Sequence, residues 1–215
     1  MPLKPSMSIR EIEEYLKDDL KVSLEHDVLP VLEGPGGYFG VARAVLCYVD
    51  FLGALYRGYK GGKACSDRKQ IATSKKATAF ISEILGHVDH LYQTNGKLLY
   101  EMYRHGTVHL YAPKELKRKR RILSWMPYKE GREAWLIVDN RARLIRHLKP
   151  LQRDGKSDWL PVSITCLYHD LRAAIDEFAR RLSTDQQLFD NWQSAAAALC
   201  EPECTELGWS TDDPC

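Results

Sequence analysis

Residues 41–56 read VARAVLCYVDFLGALY, apolar nearly all round a helix and interrupted by charge only at Arg43 and Asp50. A helix with almost no polar face is stable only when other helices enclose it, so the chain is expected to be a helical bundle around one central element. Arg43 and Asp50 are seven apart, hence on nearly the same face, and burying either charge unpaired is costly. They are expected to pair inside the bundle, either with one another or with charged residues of a neighbouring helix that Asp50 then orients.

The partner helices are legible from spacing. Ile9, Ile12, Leu16, Leu20, Leu24 and Val28 recur at intervals of three and four over residues 8–32, with Ser8 and Glu11 forming a capping box and Pro30 near the end. Gly34-Pro35-Gly36-Gly37 breaks the chain before the central helix. A glycine-rich basic stretch at 57–64 predicts a mobile loop, followed by a weaker helix over 69–85 and a further one over 87–104, with Pro113 the latest point helix can reach. Short runs rich in β-formers at 121–126, 134–138 and 144–148, separated by turn residues at 129–131 and 139–140, predict a three-stranded antiparallel meander. Helix returns over 162–181, with Ile164, Leu167, Leu171, Ile175 and Phe178 on one face, and again over 185–199. The fold class is therefore mainly α: a helical bundle with a small antiparallel β meander inserted before the last helices. Residues 1–199 form one domain, and 200–215 a flexible acidic tail.

Of the 215 residues 44% are apolar and 28% charged, an ordinary soluble composition, and the net charge of +2 is too small for a strong global field. Any nucleic-acid contact must come from local charge. No stretch approaches the roughly 18 uninterrupted apolar residues of a membrane span, and the first residues lack a secretion-signal core, so the expected location is cytoplasmic, with no membrane contact. The six cysteines include no Cys-x-x-Cys pair. Cys47 and Cys166 fall in apolar patterns and are expected to pack as small hydrophobes, whereas Cys200, Cys204 and Cys215 match no common zinc-finger spacing.

The predicted 87–104 helix ends in the one segment with a specific chemical signal, Arg104-His105-Gly106-Thr107-Val108-His109. Arginine and histidine suffice to cut RNA without a metal or other cofactor: a permanent planar cation stabilises charge on phosphate, and imidazole moves protons near neutral pH. Positions five apart on a straight α-helix differ by about 140° in direction. Convergence of Arg104 and His109 therefore needs the helix to end or distort near Gly106, or a second copy of the chain to bring its own arginine and histidines to a shared cleft.

An apolar helix ending in Arg, a polar residue, three further residues and His, within a small helical bundle, resembles the HEPN (higher eukaryotes and prokaryotes nucleotide-binding) superfamily. Arg104, His105 and His109 match its Arg-polar-x-x-x-His pattern. The resemblance implies a homodimeric, metal-independent endoribonuclease leaving a 2′,3′-cyclic phosphate, often in toxin–antitoxin or antiviral defence systems, with an antitoxin or effector as a further partner. It also implies an alternative, because the superfamily includes noncatalytic modules that bind RNA or a nucleotide as sensors or scaffolds. The bundle over 8–112 and the helix from 162 fit the resemblance; the strands and tail lie outside it.

Simpler readings compete for the same residues. A terminal Arg and His can neutralise carbonyls at the negative end of a helix dipole, and Glu101, His105 and His109 stand at metal-ligating intervals, although Gly106 replaces the glutamate of His-Glu-x-x-His. Lys114, Lys117, Arg118, Lys119, Arg120 and Arg121 place six cations in eight residues just after the motif, an expected RNA-phosphate contact or else a solvated charge run. A second basic stretch holds Arg57, Lys60, Lys63, Arg68, Lys69, Lys75 and Lys76. Trp125, Tyr128 and Trp135 are expected to pack the strands onto the bundle, with base stacking as the alternative. Tyr168 and His169 are expected on an amphipathic helix with their polar tips exposed.

Overall fold

The computed structural model describes residues 2–59, 73–104, 106, 112–118 and 120–200, without the side chains of Thr73 and Arg118. The expected loop from residue 60 on, most of the second basic stretch, His105, His109, Lys119 and the tail after Cys200 lie outside the described residues, and Arg57 of that loop is helical.

Ser8 caps the first helix through the expected box: its hydroxyl accepts from the Glu11 amide, and the Glu11 carboxylate accepts from the Ser8 amide at 2.8 Å. Helix α1 spans residues 9–33, with α-helical Ile9–Glu14 and Lys21–Glu33 flanking a π-helical Tyr15–Leu20. It passes through Pro30 and ends at Gly34. Lys129 Nζ caps that end by donating to the carbonyls of Leu32 and Gly34.

Helix α2 (Tyr38–Arg57) is the central element, with ten of its residues buried. By length and composition it is apolar enough to cross a membrane, and half of that apolar window is enclosed within the fold. Helix α3 covers residues 73–88, as Thr73–Phe80, a π-helical Ile81–Leu85 and Gly86–Val88. It approaches α2 at Gly53, where a Cβ would stand 2.7 Å from the Ala77 amide nitrogen, closer than packed atoms come. Helix α4 covers residues 91–104, as Leu91–Leu99 and a π-helical Tyr100–Arg104. Helices α5 (Ile164–Leu182) and α6 (Gln186–Cys200) complete the bundle. Phe178, Phe80, Tyr56 and Trp192 meet at its centre in edge-to-face or tilted pairs.

The fold is mainly helical, as the sequence predicts, but the strands do not form a meander. Among the described residues six strands, β1 (Leu116–Arg118), β2 (Arg121–Tyr128), β3 (Glu133–Val138), β4 (Arg141–Arg146), β5 (Leu151–Gln152) and β6 (Ser157–Ser163), make a four-stranded sheet of order β1-β2-β6-β5 and a separate β3–β4 hairpin. β2 pairs with β6 in parallel, Trp125 opposite Leu160, and not with β3. β1, β5 and β6 were not expected, and the one that β2 pairs with in parallel, β6, is disguised by Pro161: proline has no N–H for the ladder. Its carbonyl is used instead, accepting from the Leu148 amide at 2.8 Å. The hairpin turns through Asp139 and Asn140 at φ 50° and 60°, the conformation two-residue hairpins favour.

The hairpin packs Val138 and Ile145 with Tyr128 in a small second core, while the other face of β3 leaves Trp135 71% exposed. Trp125 does tie the sheet to the bundle, 5.0 Å edge-to-face from Phe39 of α2. Of the three aromatics, Trp135 alone departs from the packing expected of it, because it lies on the hairpin's outward face. Tyr168, expected with its tip exposed, is fully buried, and its hydroxyl accepts from Arg172 at 3.1 Å; its neighbour His169 is exposed.

Candidate active site

The charges of α2 fall on one stripe. Arg43, Cys47 and Asp50 recur at intervals of four and three, so they share a helix face turned toward the end of α4. This corrects the expectation for Cys47, which is exposed because it lies on the polar stripe of an otherwise enclosed helix. Cys166 is buried as expected.

Asp50 faces the motif helix. Its Oδ1 accepts from the Tyr100 hydroxyl at 2.6 Å and its Oδ2 from Arg104 Nε at 2.5 Å. Tyr100 and Arg104 are four apart in this π-helical turn, so they lie one above the other on one face and both donors reach one carboxylate. Side-chain exposure is 25% for Arg104 and 13% for Asp50, so the pair is shielded yet reachable. Burial opposes the charge on Arg104, and its hydrogen bond and attraction to Asp50 outweigh that, raising its pKa above the usual arginine value. Burial, followed by the hydrogen bond and charge of Asp50, pushes the Tyr100 phenol upward, so Tyr100 is a donor here and not an acid.

Residues 112–114 lie against the end of α4. The Lys114 amide donates to the Met102 carbonyl at 3.0 Å, and at Gly106 a Cβ would lie 2.5–2.7 Å from backbone atoms of residues 112–114. Glycine is required there by this close approach. Among the described residues no group of three or more His, Cys, Asp or Glu can hold a metal ion. Glu101, the described member of the possible metal stripe, lies 3.7 Å from Lys97.

The basic run divides. Lys114, Lys117 and Arg120 are exposed along and beside β1, and Arg120 stands at the lip of a cleft of about 700 Å³ floored by Leu98, Leu116 and Leu123. Arg121 is not available to RNA as expected. Its Nε donates to Asp158 at 2.7 Å, and its terminal nitrogens donate to Asp158 and to the carbonyls of Asp154, Gly155 and Ser157. It fastens the loop between β5 and β6 because β2 and β6 are neighbours.

A second polar constellation, not anticipated in the sequence, lies between bundle and sheet. His147 is fully buried; its Nδ1 accepts from the Ser163 amide at 3.0 Å, which leaves the ring proton on Nε2, 3.0 Å from the Tyr92 hydroxyl. Tyr92 in turn donates to Asp170 at 2.9 Å. Arg132 bridges Asp170 and Asp89, and the other Asp89 oxygen caps α4 through the Leu91 amide at 2.9 Å. Burial pushes the Asp170 carboxyl up against the opposing pull of Arg132 and Tyr92. Next to His147, Leu148 holds φ 59°, a left-handed conformation costly for a branched residue, pinned by the Pro161 carbonyl and by Asn95 Nδ2. One sequence signal was present: Asp170 falls three residues after Leu167, on the apolar face of its helix, where a carboxylate needs partners.

Burial, reinforced by Arg132, lowers the His147 pKa from 6.5 to about 3. Between those values the unfolded chain takes up a proton that the folded site refuses, so stability falls as pH drops through that window. By urea unfolding, the wild type is expected to lose about 2 kcal/mol more than His147→Gln between about pH 6.5 and pH 4.5. Equal losses in the two proteins would show that His147 is not held neutral. Asp170 contributes with the opposite sign, which is why the comparison is made between variants.

The chain matches no family model, no curated protein and no solved structure.

Proposed function

We propose that this chain is a HEPN-type endoribonuclease that cuts RNA without a metal ion and acts as a homodimer, in a toxin–antitoxin or antiviral defence setting. The observation that carries this reading is the carboxylate of Asp50, held on the polar stripe of the central helix, which fixes the motif arginine through Nε at the end of α4 while a quarter of that side chain stays exposed. The Nε bond uses one of the five N–H donors of a guanidinium. Fixing the plane of the group in advance lowers the cost of orienting it toward a phosphate.

In the reaction, the 2′-oxygen attacks the adjacent phosphorus as its proton leaves to a base, the phosphorane gains negative charge, and the bond to the 5′-oxygen breaks as that oxygen takes a proton. Arg104 steadies the phosphorane, His109 transfers protons and His105 assists. Lys114, Lys117 and Arg120 hold neighbouring phosphates. A pair of chains related by a twofold axis supplies the second set of these groups.

One observation favours a second reading, a noncatalytic HEPN module that binds RNA or a nucleotide: the Arg104 charge is already balanced by Asp50. Purified protein incubated with RNA in EDTA separates the two. Cleavage that His109→Ala abolishes supports catalysis, and binding without cleavage supports the module. Loss of cleavage on adding EDTA overturns the metal-independent mechanism.

A further inference from the structure

The β3–β4 hairpin and the four-stranded sheet leave a groove of about 590 Å³ between them. Met126 and Trp159 line it from the sheet, and Leu136 and Val138 from the hairpin. At Asp139 it runs into a second depression walled by Arg141, Arg143 and Arg153, with Asp154. Arg153 joins the two, its guanidinium 4.6 Å from the centre of the Trp159 ring. The Trp159 indole N–H is shielded and has no hydrogen-bond partner among the described residues. Three guanidiniums stand against two carboxylates at that end, with Arg153 3.9 Å from Asp139, while Glu115 adds a carboxylate to the groove itself.

We propose that this groove binds single-stranded RNA, its bases lying against the Trp159 indole and the Arg153 plane and its phosphates against Arg141 and Arg143. The inference rests on the reading of the chain as an RNA-directed protein and adds to it a binding surface separate from the Arg104 site. Flat apolar faces followed by planar cations match a strand in which a planar base alternates with an anion, and every base offers a face to stack. A membrane is a poorer fit, because insertion needs apolar groups on a convex surface and these line a concavity. An apolar peptide does not call for three arginines.

The test uses a fluorescein-labelled oligouridine of about 20 nucleotides, methylated at every 2′-oxygen so that it binds but cannot be cut. Fluorescence anisotropy in EDTA compares the wild type with the Arg141→Glu/Arg143→Glu variant and with Arg153→Ala. The charge reversal is expected to weaken binding at least about tenfold and to flatten its salt dependence, with a smaller loss for Arg153→Ala. Affinities within about twofold of the wild type in both variants, or no binding by the wild type, overturn the proposal. So does a hexaglutamate peptide that competes as well as RNA, which makes the surface a protein site. Cleavage of natural RNA is measured in parallel to keep the two ideas apart. Undiminished binding and an unchanged KM in the double variant, with cleavage intact, sink the groove alone. Lost binding in the double variant, with no cleavage by the wild type, sinks the ribonuclease reading and leaves the groove standing.

Discussion

Arg132→Met is expected to cost about 3 kcal/mol or more of folding free energy, the largest loss from any single substitution outside the apolar core. Arg132 is itself one-third exposed, but the two carboxylates it bridges, Asp89 and Asp170, are 4% and 5% exposed. Removing the bridge leaves Asp170 without its cation and Asp89 with the more distant Arg146, at 3.8 Å, which does not replace the fork. Arg132→Lys should recover only part of the loss, since an ammonium cannot span two acids with a rigid planar group. Denaturant unfolding measures both. The deficit of Arg132→Met should shrink as pH falls, because the Asp170 carboxyl, already pushed up by burial, needs no cation once protonated. A loss below about 1 kcal/mol would mean that the network adds nothing beyond its packing.

Arg104→Ala is expected to lower RNA cleavage per folded molecule by about 10²–10³, equivalent to roughly 3–4 kcal/mol of transition-state stabilisation, and also to lower folding stability, since Asp50, 13% exposed, loses its cation. Asp50 acts through Arg104 and is a positioning residue. Asp50→Asn keeps an acceptor for Tyr100 but loses the charge, so kcat should fall about tenfold while KM for RNA stays near the wild-type value. A merely structural role for Asp50 would lower thermal stability and leave kcat per folded molecule intact. An Asp50→Asn protein of full activity would show that the ion pair has no part in the reaction.

The bundle was legible because apolar spacing over 9–28 and the nearly all-apolar run at 41–56 each allow one kind of element. Two charges in that run sufficed to point to Asp50 as a group needing a partner, and the structure supplies Arg104 and Tyr100. The sheet was not legible for the opposite reason. Strand pairing is a long-range choice, and Pro161 hid the strand to which β2 pairs, so local patterns joined the wrong neighbours. Arg121 was misassigned with it: six consecutive-looking cations give no hint that one faces Asp158 across a parallel ladder. The π-helical turn at Tyr100–Arg104 also left no trace in composition. Asp170 was the one overlooked residue whose position carried a signal.

The direct test of the central claim, that Arg104 and His109 act together on a phosphodiester without a metal, is the chemical identity of the ends made from labelled RNA in EDTA under single-turnover conditions. The account predicts a 2′,3′-cyclic phosphate and a 5′-hydroxyl from the wild type, and neither from Arg104→Ala or His109→Ala. Ends carrying a 3′-hydroxyl and a 5′-phosphate, or the same products at the same rate from the two variants, would contradict it.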